Sequence, residues 1–249
     1  MTTRTPDDTS LGKTAQLAPL GDRAVQIWLG DRIAEDVHRR VRAVYAKLSR
    51  SPVPGTIELV PAYASVTVHY EPSAVPNDAR SPDAPSPYAR FAAALQLALA
   101  EVREDAVPEA RRIEIPVCYG GDFGPDLDEV ARVRGMSPDE VVRLHSSAMY
   151  RVYMLGFAPG FAYLGGLPEA IAMPRRSEPR TAVPAGTVGI AGTQTGVYPL
   201  VLPGGWQLIG RTPRRMFDAR LEPPTVLAAG DLVAFSAITH DEFVELATK

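Results

Sequence analysis

Residues 156–213 read GFAPGFAYLGGLPEAIAMPRRSEPRTAVPAGTVGIAGTQTGVYPLVLPGGWQLIGRTP. Eleven glycines and eight prolines in these 58 residues interrupt short apolar runs, a texture that argues against long helices. The runs that survive, Thr187–Ala191, Val197–Leu202 and Gln207–Ile209, are strand-length pieces between Gly/Pro corners. That pattern predicts a compact β barrel or sandwich. Val226–Leu227, the turn at 229–231 and Leu232–Ser236 continue it toward the C-terminus. Upstream, Arg111–Val117 alternates with Ile113, Ile115 and Val117 on one face, and YGGDFGPD follows as a turn-rich segment. Asp126–Arg134 reads as a short helix. Ser137-Pro138-Asp139-Glu140 reads as a capping box that starts a helix running to about Ser147.

The N-terminal half has a different texture. Ala24–Leu29 alternates as a strand, and Ile33, Val37, Val41, Val44 and Leu48 recur at helical spacing. Thr56–Val60 and Ser65–Tyr70 form a strand pair, and Phe91, Leu95, Ala98 and Val102 mark a second amphipathic helix, giving the order β-α-β-β-α. The expected organisation is therefore α+β: a disordered tail over 1–13, an α/β domain over 14–108 and a barrel domain over 109–249. A linker at 72–87, with five prolines, should be exposed and stiff.

Composition narrows the chemistry. The chain has 249 residues and a net charge of −3, with no basic run to track nucleic acid and no apolar stretch long enough to span a bilayer as a helix. The N-terminus lacks the apolar core of a signal peptide, and the single cysteine, Cys118, cannot form an internal disulfide; the chain reads as cytoplasmic. Lysine occurs only at positions 13, 47 and 249, which rules out a phosphate-loop lysine or a Schiff base in the barrel half. Four scattered histidines and one cysteine give no metal-site spacing, so no metal is expected.

The 156–213 segment holds four arginines, Arg175, Arg176, Arg180 and Arg211, against Glu169 and Glu178, and no aspartate. Guanidinium groups fork carboxylates and phosphates, so these arginines are candidate anion contacts; pairing with local carboxylates and loop carbonyls is the alternative. The GFAPGFAYLGGL run mixes aromatic residues with glycines, and backbone amides near Gly160 could face a ligand beside Tyr163. A tight barrel corner filled by Phe157, Phe161 and Tyr163 explains the same residues without one. The GIAGTQTG run at 189–196 lacks the order of a dinucleotide fingerprint, but Gln194 and Tyr198 could orient an amide or lactam. His145 falls at a helix C-terminus, where the dipole favours imidazolium, and is either a proton donor or anion contact or a structural histidine.

MLGFAPGFAYLGGL (154–167), PRRSEPRTAVPAGTVGIAGTQTGVYPL (174–200) and PGGWQLIGRTP (203–213) resemble the family of the 5-oxoprolinase B subunit, also called the allophanate hydrolase subunit 1 or KipI family. IPVCYGGDFGPDLDEVA (115–131), LHS (144–146) and GDRAVQIWLG (21–30) extend the resemblance over nearly the whole chain. It implies a ferredoxin-like N-terminal domain and a cyclophilin-like C-terminal barrel. It also implies a component that works with the A and C subunits of the complex to open the lactam of 5-oxoproline to glutamate, using ATP at a site on, or shared with, a partner. Two alternatives come with the family: an inhibitor of a sensor histidine kinase, and half of a biotin-dependent urea or amide carboxyltransferase. No biotin-accepting lysine motif occurs here, so biotin would have to arrive on another chain. Under the lactam reading, His145, Arg176 and Gln194 are the expected catalytic set. Arg175, Arg180, Arg211, Tyr163, Tyr198 and Gly160 are the expected substrate contacts.

Overall fold

A computed structural model describes residues 15–77, 85–103 and 109–248, which divide into two compact units at residues 109 and 110. The expected tail over 1–13 and the middle of the proline-rich linker lie outside the described residues. Of that linker, Pro72–Ala74 forms a 3-10 turn, and Pro87 already belongs to a helix.

In the first unit, strands β1 (Gln16–Pro19), β2 (Ala24–Trp28), β3 (Thr56–Pro61) and β4 (Ser65–Tyr70) form an antiparallel sheet in the order β1-β2-β4-β3. Helix α1 (Glu35–Arg50) follows β2, and α2 (Pro87–Ala100) follows the 3-10 turn. Helix α1 buries Val37, Val41, Val44 and Leu48, spaced by three and four residues, and carries Glu35 and Asp36 at its positive end and Lys47 and Arg50 at its negative end. Ile33, read as part of that stripe, lies before the helix and is exposed. Helix α2 opens with Ser86, whose hydroxyl accepts from the Ala89 N–H at 3.2 Å, and with Pro87 at its first turn. Val25, Ile27, Val66 and Val68 alternate onto one sheet face and pack with Phe91, Leu95 and Leu99 of α2, where Tyr70 stacks on Phe91 at 4.3 Å. The sequence reading missed β1, a short edge strand ending in proline and half exposed, which carries little periodic signal.

The second unit is built on a closed seven-stranded barrel. In chain order its elements are β5 (Arg112–Tyr119), α3 (Leu127–Arg134), α4 (Pro138–Ser147), β6 (Met149–Leu155), β7 (Ala162–Gly165), β8 (Arg180–Val183), β9 (Thr187–Ala191), β10 (Gln194–Val197), β11 (Leu202–Gly204), β12 (Gln207–Arg211), β13 (Leu232–Ala237) and α5 (His240–Ala247). The barrel order is β10-β7-β6-β13-β5-β12-β9, closed by β9 pairing with β10; β8 and β11 form a separate ribbon. Neighbours are antiparallel except β5 and β13. Ile115, Val117, Val152, Leu164, Val188, Ile190, Ile209 and Val233 fill the core. Cys118 is buried on β5, as a small core residue should be, and desolvation pushes its thiol up, away from reactivity. Ser137 caps α4 by accepting from the Glu140 N–H at 3.2 Å, but the expected box is half made, because the Glu140 carboxylate pairs with Arg143. Among the described residues no helix is long and apolar enough to cross a membrane.

Candidate functional site

Phe157, Phe161, Tyr163, Tyr198 and Trp206 converge over the β9–β10 hairpin, on the face turned away from the barrel core, around a cleft of about 260 Å³, with Arg175 on its wall. Phe161 organises the group, edge-on to Tyr163 at 4.9 Å, Phe157 at 5.4 Å, Tyr198 at 5.5 Å and Trp206 at 5.7 Å. Such edge-to-face contacts fix ring orientation and present both ring faces and edges to a ligand. The rings close in on a floor without side chains. Gly189 and Gly196 face each other across β9 and β10, and a Cβ on the first would meet Trp206 at 3.1 Å and Tyr198 at 3.4 Å, on the second Phe161 at 3.1 Å. Gly204 is needed for the same reason, since a Cβ there would run into the Tyr198 hydroxyl.

Two residues at the mouth are conspicuous. Phe157 has φ of 72°, left-handed for a bulky residue, and is 60% exposed; the fold tolerates local strain of about 1–3 kcal/mol to hold this ring at the rim. Tyr198 is almost fully buried, and its hydroxyl accepts from the Trp206 backbone N–H. Desolvation raises its pKa against the opposing pull of that bond, Arg175 and Arg180, so it is a neutral donor.

The arginines separate by what they touch. Arg176 Nη1 at 3.3 Å and Arg180 Nη2 at 2.7 Å both donate to Asp126 Oδ1, while Asp126 Oδ2 accepts from the Leu208 N–H at 2.7 Å. The carboxylate missing from the 156–213 segment thus arrives from just before α3, buried and fully engaged. Arg176 and Arg180 act as struts that tie the loop before β8 to the barrel. Arg211 donates to the Ala185 carbonyl at 2.8 Å and lies over the Phe123 ring at 6.0 Å, outside the cleft lining. Arg175 is the cation that lines the cleft.

His145 is fully buried inside the barrel, not in the cleft. Its Nδ1 lies 2.7 Å from the Tyr119 hydroxyl and its Nε2 3.0 Å from Thr195 Oγ1, while the Thr195 hydroxyl donates to the Gly189 carbonyl at 3.1 Å. With that proton committed to Gly189, Thr195 accepts from His145, which fixes the Nε2–H tautomer and leaves Nδ1 to accept from Tyr119. Desolvation pushes the imidazole down to about 3, so it is neutral at physiological pH. The imidazolium expected from the helix dipole is corrected on this point, because complete burial outweighs a terminal dipole.

Of the nine residues expected from sequence, Tyr163, Arg175 and Tyr198 come together in the cleft. Gly160 sits in the adjoining loop at φ of 82°, where a Cβ would meet Phe217 at 2.7 Å, so packing accounts for it. Gln194 opens β10, opposite Gly165 and outside the cleft lining. The sequence reading missed Trp206 and the glycine floor; the PGGW run and the glycines flanking Thr195 were the available signals. A wider, open hollow of about 540 Å³ is lined by Arg134, Glu169 and Thr193, but Arg134 already donates to the Glu169 and Ala170 carbonyls at 2.8 and 2.7 Å. Among the described residues no group of three or more His, Cys, Asp or Glu could hold a metal ion.

Comparison with known proteins places this geometry in a family. Residues 15–227 match the family model described as carboxyltransferase domain, subdomain C and D. A Bacillus subtilis (strain 168) protein, named as the B subunit of 5-oxoprolinase, is 48% identical over 228 residues, covering 92% of this chain and 95% of that one. An Escherichia coli O157:H7 protein of the same name is 58% identical over 135 residues, or 54% of this chain and 62% of its own. Among solved structures, TTHA0988 matches with a TM-score of 0.72 at 37% identity over 87% of this chain, which spans 40% of that longer chain. The Kluyveromyces lactis urea amidolyase, at 19% identity and a TM-score of 0.69 over 93% of this chain and 15% of that one, shares the fold.

Proposed function

The chain belongs to the family of carboxyltransferase domains, subdomains C and D, with 5-oxoprolinase B subunits among its relatives, and from that premise we propose that its barrel cleft holds the lactam ring of 5-oxoproline within an ATP-dependent 5-oxoprolinase complex. The observation that carries this reading is the cleft's composition: aromatic walls sized for a small ring, one guanidinium and the hydroxyls of Tyr163 and Tyr198, the latter held neutral. The rings pack on the lactam faces, Arg175 pairs with the ring carboxylate, and Tyr198 donates to a ligand oxygen. In the overall reaction water adds to the lactam carbonyl carbon, the ring C–N bond breaks and the nitrogen leaves as the amine of glutamate, while a second water is consumed as ATP is cleaved to ADP and phosphate. His145, buried and neutral, takes no part as an acid.

The size and lining of the cleft argue for a nucleotide site elsewhere. The cleft's volume of about 260 Å³ is below the roughly 300–1,000 Å³ typical of sites for larger ligands, and no lysine lines it. The nucleotide site belongs on, or is shared with, the A or C component of the complex, and the isolated chain is inactive. Nothing favours the kinase-inhibitor or biotin-carboxyltransferase readings over this one, since the curated relatives carry the 5-oxoprolinase name. The strand order β1-β2-β4-β3 supports a ferredoxin-like class for the first unit, with the edge strand supplied before β2 instead of after α2, and the closed barrel supports a cyclophilin-like class for the second. A lone buried cysteine and the use of ATP favour the cytoplasm.

The test is glutamate release from 5-oxoproline with ATP, comparing this chain alone, the A and C components without it, and the full mixture. Release confined to the full mixture is expected. A folded, complete mixture without turnover would refute the reading.

A further inference from the structure

The hairpin of β9 and β10 has two faces with different occupants. Toward the barrel interior, Thr195 receives the His145 Nε2–H and passes its own proton to the Gly189 carbonyl. On the opposite face, Gly189 and the neighbour of Thr195, Gly196, form the floor against which Tyr198, Trp206 and Phe161 lie. The relay is anchored at its far end as well, because Tyr119 donates to Nδ1 and the Tyr150 hydroxyl donates to the His145 carbonyl at 2.7 Å. Every polar atom on this path therefore has a partner, and the donor order runs in one direction.

The rings take the space a side chain on the floor would need: a Cβ at Gly189 would lie 3.1 Å from Trp206 and 3.4 Å from Tyr198, and one at Gly196 3.1 Å from Phe161 and 3.3 Å from Trp206, so the rings rest on the glycine backbone and a displaced hairpin changes the surface they pack on. We infer that His145, acting through Thr195, is a positioning residue for the cleft: its hydrogen bond to Thr195 locks the β9–β10 hairpin, and the hairpin sets the spacing of the aromatic walls. This rests on the cleft being the lactam site proposed above. Between the two roles the sequence leaves open for His145, it selects the structural one and ties it to the ring-binding site, which His145 serves without touching a ligand.

The test compares Thr195→Val, which removes the hydroxyl, with Thr195→Ser, which keeps it. In the complete mixture, Thr195→Val should raise KM for 5-oxoproline by about three- to tenfold, the size of one lost hydrogen bond, with a smaller change in kcat, while Thr195→Ser stays near wild type. A second readout needs no turnover. In the full chain carrying Trp28→Phe, Trp206 is the remaining indole. Thr195→Val should change its emission and its quenching by acrylamide, and Thr195→Ser should not. Unchanged Trp206 fluorescence in Thr195→Val, or an unchanged KM when the wild-type mixture is active, overturns the inference. An inactive wild-type mixture instead counts against the function proposed for the cleft, and the fluorescence arm still decides the relay.

Discussion

His145 shows how burial can remove a residue's charge. Its imidazole sits at about 3 in the folded chain against an ordinary 6.5, because desolvation penalises the cation. The unfolded chain therefore binds a proton below pH 6.5 that the folded chain refuses until near pH 3. Stability contributed by the neutral ring is complete above pH 6.5 and is lost as pH falls through that window, at about 1.4 kcal/mol per pH unit. Urea unfolding between pH 6 and 4 should show this slope in wild type and its loss in His145→Gln, whose amide can still reach Thr195. Equal slopes in the two proteins would mean that the ring is protonated in the native state. The sequence could place His145 at a helix end, but Tyr119 and Thr195 lie 26 and 50 residues away and no local pattern announces them. Asp126 is the same kind of case, since its arginine partners come from the loop and strand 50 and 54 residues downstream.

Elements with an apolar period, or with a cap ahead of one, are legible, and those defined by long-range pairing are not. Helices α1 and α2 announce themselves by apolar spacing, β5 by alternation, and α4 by its Ser-Pro start. Helix α5 was missed although Thr239 and Glu242 form a complete capping box, with the Thr239 hydroxyl accepting from the Glu242 N–H at 3.2 Å and the Glu242 carboxylate accepting from the Thr239 N–H at 2.7 Å. No residue of α5 is buried, so its sequence lacks the stripe that draws attention. Its stability leans on that cap and on the Phe243–Phe123 ring contact at 4.3 Å. Thr239→Ala should cost about 1 kcal/mol locally, read as faster amide hydrogen exchange over residues 240–247 with the melting temperature of the barrel unchanged. Exchange no faster than wild type would show that the aromatic contact alone holds the helix. In the barrel, Gly/Pro texture predicted strands, but the run Val197–Leu202 did not survive as one: β10 stops at Val197, and the chain turns through Tyr198 into the cleft.

At the scale of the molecule, the first unit carries one hydrophobic cluster and the second carries two, the smaller of which holds Phe161, Tyr198 and Trp206 of the candidate site. The family pattern reaches from residue 15 to 227 and so takes in parts of both units, ending before β13. Fold class was readable because Gly/Pro density and apolar periodicity are local properties, whereas the cleft depends on which rings a closed barrel brings together. Four arginines looked equivalent along the chain, and folding gave two of them to Asp126, one to a loop carbonyl and one to the cleft. The cleft reading therefore rests on Arg175 in a way that composition could not foresee. The decisive measurement is KM for 5-oxoproline in the complete mixture with Arg175→Ala, against Arg143→Ala, which removes a surface guanidinium paired with Glu140 on α4. Loss of a charge-assisted bond to the ring carboxylate should raise KM about tenfold or more in Arg175→Ala and leave Arg143→Ala at the wild-type value. A wild-type KM in Arg175→Ala would contradict the assignment of this cleft to the lactam.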